Sequence, residues 1–215
     1  WLPPDSRSSL DRFSAEARAL QIEPREIPGA ARRVGKSIAL HLASQGWNIA
    51  IHYHTSENEA VLFRDELAKD YPHQQFEIFR ADLCLSGEVE MLIRQVSQKM
   101  ERLDLLINNA SVFEAAKLAQ SSTEFFDQQM NVNFRAPFIL SRDFAQAFRS
   151  GVIINFVDTR IVTNQPNFAA YTISKKALCE LTKMAALEFG PGRENTHETP
   201  RRAGPHSEKS GLYTE

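Results

Sequence analysis

The chain has 215 residues, 42% of them apolar, which is enough for one sizeable core and one globular domain. With 25 Lys and Arg against 27 Asp and Glu, a formal charge of -2 and no long basic run, it offers no electrostatic case for nucleic acid or an anionic membrane surface, and a small-molecule partner fits better. Cys84 and Cys179 lie far apart without disulfide-framework or zinc-type spacing, and no apolar run approaches the roughly 20 residues that span a bilayer, so the expectation is a soluble, cytoplasmic protein without a metal.

Residues 1–27 hold an amphipathic helical pattern, with Leu10, Phe13, Ala17 and Leu20 on one side, and then IEPREIP, where proline and charge make a poor central strand. This segment reads as an atypical N-terminal extension. From Arg33 to Gly46, Val34, Ile38 and Leu42 recur at helical spacing, and Gly46 suits a left-handed helix end. A strand, NIAIHYH, follows; Ser56 with Glu59 three residues on is a capping-box signal for a helix running to about Asp70. QFEIFRAD is the next strand, Gly87–Met100 a helix, LDLLINNA a buried strand, Thr123–Phe148 a long helix and GVIINFVD a further strand. A helix over residues 170–190 comes last, and the polar, Pro- and Gly-rich residues 191–215 read as a disordered tail.

Apolar strands alternating with helices predict an α/β fold: a doubly wound parallel sheet, Rossmann-like, in a single domain over residues 28–190 that is incomplete at its C-terminal end. Ligands of such sheets bind beyond the carboxyl ends of the strands, where Gly29, Asn109, Asp158 and Tyr171 all fall. In a helix Tyr171 and Lys175 stand one turn apart on one face. An ammonium beside a phenol favours phenolate, which predicts a lowered Tyr171 pKa and a proton donor for a carbonyl or imine that accepts hydride. Gly29-Ala-Ala-Arg-Arg-Val-Gly35 opens a helix whose N-terminal N–H groups can meet a phosphate. Asn108-Asn109-Ala110-Ser111 closes a strand with small and amide residues, suited either to a ribose lying against backbone or to a simple turn.

In this order and at these separations, Gly29-x5-Gly35, Asp82-Leu83, Asn108-Asn109-Ala110, Asn133 and Tyr171-x3-Lys175 resemble the short-chain dehydrogenase/reductase family over about residues 28–190. Within it, the Gly29–Gly35 turn, His52-Tyr53-His54, Asn108–Phe113, Asp158 and Thr163-Asn164-Gln165-Pro166 look most like pteridine reductases and bacterial dihydromonapterin reductases; most of the family has Ser where Asp158 stands. The resemblance implies NADPH, held by Gly29, Arg33, Val34 and Gly35, by His54, Thr55 and Ser56 near the adenosine phosphate, by Asp82 and Leu83 beside the adenine, and by Asn109, Ala110 and Ser111. The absence of a carboxylate directly after His52-Tyr53-His54 agrees with a 2′-phosphate there.

By the same resemblance a pterin lies against Phe113, oriented by Ser111; Asp158 binds or protonates it, Tyr171 and Lys175 supply a second proton route, and Asn133 holds the water of a relay. A homotetramer built through the two long helices is also implied. Two alternatives stand beside pterin reduction. A carbonyl or 3-oxoacyl reductase would use the same Tyr and Lys, and a catalytically inactive relative would serve binding or assembly. The latter is suggested by Pro28 in place of the family's Thr, by the weak first strand, and by Pro191-Gly192 following Gly190 with no strand between.

Overall fold

A computed structural model describes residues 18–22, 31–148 and 150–190. In chain order the elements are β1 (Arg18–Ile22), α1 (Ala31–Ser44), β2 (Asn48–Tyr53), α2 (Glu57–Asp70), β3 (Phe76–Arg80), α3 (Ser86–Met100), β4 (Leu105–Asn108), α4 (Thr123–Met130), α5 (Ala136–Ala147), β5 (Val152–Asn155) and α6 (Ala169–Phe189). The strands form one sheet in the order β3-β2-β1-β4-β5, and every pair is parallel. Chain order reverses direction across the sheet at β1, the point where doubly wound folds open a crevice at the carboxyl edge.

Successive strand side chains are buried against opposite faces of the sheet. Leu106 and Ala50 join the core formed with Leu92, Val96, Ile139 and Leu140 of α3 and α5. Leu105, Ile107, Ile49 and Ile51 turn the other way, onto Ala39, Ala43, Phe63 and Leu67 of α1 and α2. A sheet covered on both faces explains why β4 is buried at all four positions. A polar ladder crosses this apolar frame: Asn108 Nδ2 donates to Asn155 Oδ1 at 2.8 Å, and Asn155 Nδ2 to Thr182 Oγ1 of α6 at 2.9 Å.

Three sequence expectations need correction. Leu20 is not on a helix: Arg18–Ile22 is the central strand, aligned with Asn48–His52 on one side and, from Ala19 on, with Leu105–Asn108 on the other. The weak IEPREIP segment therefore largely follows the strand rather than forming it. Two parallel partners supply its ladder and override the helical preference of Ala, Leu and Gln. The remainder of the N-terminal pattern and the tail from 191 lie outside the described residues. The helix expected over Thr123–Phe148 is interrupted by one π-helical turn, Asn131–Arg135, where the Ala136 N–H reaches Asn131 O. Pro137, just after it, has no N–H to give to an α-helical bond. Ser56 takes the N-cap position of α2, but its hydroxyl makes no cap hydrogen bond. Gly46 does end α1 in the left-handed region, with φ of 87°.

Leu106→Ala is expected to lower unfolding free energy by about 2–5 kcal/mol, since a fully buried isobutyl group leaves a cavity. Leu62→Ala, on the exposed side of α2, should stay within about 0.5 kcal/mol. Urea denaturation of the two variants beside wild type checks the pair.

Candidate active site

At the carboxyl edge of β5 the chain enters a short 3-10 turn, Thr159–Val162, whose N-cap is Asp158. One carboxylate oxygen, Oδ1, accepts the backbone N–H of Arg160 at 2.8 Å. The other, Oδ2, accepts the Tyr171 hydroxyl at 2.9 Å and Arg160 Nη1 at 3.0 Å. Burial works to raise the Asp158 carboxyl, but the Arg160 N–H, the Tyr171 hydroxyl and the Arg160 guanidinium together outweigh it and hold the group below its ordinary value. Asp158 is thus an ionised acceptor at neutral pH, which argues against its serving as an acid.

Tyr171 and Lys175 share a face of α6, both buried. Their electrostatics differ from the expectation. Burial pushes the Tyr171 hydroxyl up, and the hydrogen bond to Asp158 and its charge push it further; the Ser111 hydroxyl and the Arg160 charge oppose this and lose. Lys175 donates to the Phe156 carbonyl at 2.9 Å, and burial lowers its pKa to about 8 against the opposing pull of Asp158. The expected lowering of the Tyr171 pKa is therefore overturned, because burial and the carboxylate bonded to the phenol raise it, while the Lys175 ammonium is turned to a backbone carbonyl.

Asn133, expected to hold the water of a relay, has its side chain engaged with the strand exit after β4. Its Oδ1 accepts from Val112 N at 2.9 Å and from the Ser111 hydroxyl at 3.1 Å, while its Nδ2 donates to Val112 O at 2.9 Å. Buried at the π-helical turn, its side chain pins the strand exit that carries Ser111 and Phe113. Phe113 stacks on Phe168, centroids 4.7 Å apart and planes within 8°, and meets Tyr171 edge-on at 4.7 Å. The backbone N–H of Ala116 bonds Asn167 O at 2.8 Å, so the Phe113 and Phe168 loops are tied together.

Among the described residues, the others expected lie around the carboxyl ends of β2, β3 and β4 and the start of α1. Asn109 and Ala110 are buried after β4, and Asn109 Nδ2 has no hydrogen-bond partner. His54 Nε2 lies 3.4 Å from Asp82 Oδ2, and His54 Nδ1 is buried without a partner. Asp82 Oδ1 accepts from Cys84 N at 2.9 Å. Leu83 is buried in the core; Thr55 is exposed and Ser56 half-buried. Gly35 is buried in the first turns of α1, whereas Val34 is 43% exposed. Gly29 and the Arg33 side chain lie outside the described residues. Arg160 and Phe168 escaped the sequence reading; the signal for the first was an Asp that caps a turn containing an Arg two residues on. Among the described residues no group of three or more His, Cys, Asp and Glu could hold a metal, and no helix is long and apolar enough to cross a membrane.

The family profile described as short chain dehydrogenase matches residues 27–193, and the chain belongs to that family. A short-chain dehydrogenase/reductase of Armillaria gallica is 31% identical over 169 residues, 77% of this chain and 64% of that protein. The 3-oxoacyl-[acyl-carrier-protein] reductase FabG of Staphylococcus epidermidis is 30% identical over 166 residues, 76% of this chain and 67% of that protein. The chain thus spans about two thirds of the length of these curated relatives. Among solved structures, the FolM alternative dihydrofolate reductase 1 of Brucella canis, complexed with NADP, superposes with a TM-score of 0.74 at 31% identity, covering 84% of this chain and 71% of that one.

The Lys175 shift sets a pH dependence of stability. Its folded pKa of about 8 lies below the ordinary 10.5, so between these values the unfolded chain binds more protons and stability rises with pH. Below about 8 the cost of the buried charge is fully present. Lys175→Met should remove this rise, at most about 1.4 kcal/mol per pH unit. Urea midpoints of the variant and wild type from pH 7 to about 11 check the difference, which cancels groups titrating equally in both.

Proposed function

We propose that the chain is an NADPH-dependent reductase of a pterin C=N bond. The observation that carries this reading is the ionised Asp158 hydrogen-bonded to Tyr171 at the carboxyl edge of the sheet. A carboxylate there accepts ring N–H donors of a pterin, whereas it would repel the oxyanion that develops when a carbonyl is reduced. The similar FolM alternative dihydrofolate reductase, solved in complex with NADP, supports both the substrate class and the cofactor.

The residues fit the cofactor. Asn109 Nδ2 and His54 Nδ1 are buried donor or acceptor atoms without partners, at the ends of β4 and β2, where a ribose and an adenosine phosphate of NADPH would satisfy them. Asp82, Ala110, Ser111 and the Gly29–Gly35 turn would complete the hold. When bound, NADPH supplies the hydride that reaches the substrate carbon. The rest of the chemistry falls to the chain. Tyr171, held protonated across the physiological range, keeps a proton ready for the nitrogen that becomes basic as its neighbouring carbon is reduced. Asp158 orients the hydroxyl and stays ionised; Lys175, titrating near neutrality, helps return a proton to the phenolate. Phe113 offers its ring to the pterin, and Ser111 its hydroxyl.

A 3-oxoacyl substrate is the second reading, favoured by the FabG relatives. The purified chain is given NADPH with 7,8-dihydrobiopterin or with acetoacetyl-CoA, and NADPH oxidation is followed. Consumption with the dihydropterin is expected, with kcat falling about 10²–10⁴-fold in Tyr171→Phe and kcat/KM at least about tenfold in Asp158→Ala. Oxidation with acetoacetyl-CoA alone reverses the ranking, and NADPH binding without turnover of either leaves a cofactor-binding relative.

A further inference from the structure

Arg160 is the cation of this site that no sequence motif assigned. Its guanidinium carbon lies 4.6 Å from the centre of the Phe113 ring and 5.5 Å from that of Phe168. Its Nη1 is fixed on Asp158 Oδ2 at 3.0 Å. Its Nε is buried and has no hydrogen-bond partner. An Arg needed only to neutralise Asp158 could satisfy that role from solvent, with its remaining donors hydrated. Here the flat group is instead drawn over two aromatic rings, which suits a delocalised cation, and one donor is left unmet inside the site. Buried donors are rarely left so unless another molecule meets them.

We propose that Arg160 is the residue that selects the substrate: its guanidinium donates to a ring oxo group, while Asp158 and Phe113 hold the plane of the fork in place. The assignment rests on the pterin reading, and it deepens that reading by naming the substrate feature that is read, an acceptor on a planar ring. With Asp158 accepting N–H donors and Arg160 giving to an oxygen, the pair matches a ring edge that carries a donor and an acceptor side by side. A ring bearing an amino group in place of the oxo group offers Arg160 a second donor and leaves its own donor unmet. Arg160 and Asp158 both touch substrate in this scheme, and Asp158 also holds the guanidinium in place.

The test compares pterin with 2,4-diaminopteridine, which differ in the oxo or amino group at position 4 and in the hydrogen that N3 carries only in pterin, by pteridine fluorescence in the presence of NADP⁺. Relative to wild type, Arg160→Met should shift the ratio of the two dissociation constants at least about tenfold against pterin, and Arg160→Lys should shift it the same way, because an ammonium keeps the charge beside Asp158 but loses the planar fork. An unchanged ratio in Arg160→Met overturns the proposal. A wild-type ratio in Arg160→Lys also overturns it, since Arg160 would then be only a counter-ion. Urea midpoints of both variants check that they are folded, and the Lys variant carries the test should the Met variant be unfolded. If wild type binds neither pteridine, the pterin reading itself fails. The same variants are then read with acetoacetyl-CoA: a KM raised about tenfold in both keeps Arg160 as the oxo-binding residue, and an unchanged KM removes it.

Discussion

Parallel pairing of all five strands governs everything else in this molecule, because it sends every strand's carboxyl end to the same edge. His54 after β2, Asp82 after β3, Asn109 after β4 and Asp158 after β5 are far apart in sequence, and they share one edge because all five described strands run the same way. Parallel strands need crossover helices, and those helices bury both faces of the sheet. The core split between Leu106 on one side and Leu105 and Ile107 on the other follows directly. Chemistry is thereby confined to the edge, where backbone and polar groups emerge from an otherwise apolar layer.

At that edge the local balance of charge matters more than the list of residues. The same Tyr and Lys one turn apart can yield an acidic or a very weakly acidic phenol, depending on how deeply the phenol is buried and which ion is nearer its oxygen. Here the carboxylate holds the phenol and the ammonium faces a carbonyl. The tyrosine keeps its proton, and the lysine is the group poised near neutrality. Any ligand that draws Arg160 off Asp158 would change the proton affinities of Asp158 and Tyr171 together, since Arg160 and Tyr171 share one carboxylate oxygen.

Most of the frame was readable in the sequence. The β2–α2–β3–α3–β4 run was placed within a few residues because its apolar periodicities are strong and its strands are buried on both sides. β1 was not readable: Arg-Ala-Leu-Gln-Ile has helical preferences, and only the slot between β2 and β4 makes it a strand. The π-helical turn was hidden for a similar reason, as Asn133 and Pro137 look unexceptional until Asn133 is seen bonded to the backbone of Val112. The site residues Asp158, Tyr171, Lys175, Ser111, Phe113 and Asn133 do converge. Their partners could not be inferred, because distances among side chains from three loops are not encoded in spacing along one of them. Arg160 was missed as a lone Arg in a turn, a residue type that is most often solvated.

The Asn108–Asn155–Thr182 ladder has a consequence for how the sheet assembles. Asn108 stands opposite Asn155 in the parallel register, and the amides meet only in that alignment. A slip of β5 by one residue would turn Asn155 to the opposite face, away from both Asn108 and Thr182. Apolar strands such as Leu-Leu-Ile and Val-Ile-Ile pair almost equally well in several alignments, so they discriminate poorly by themselves. The ladder acts as a key cut into two such strands: it adds little to the depth of the correct state and a large penalty to its near neighbours, sorting registers before the edge residues are ever brought together.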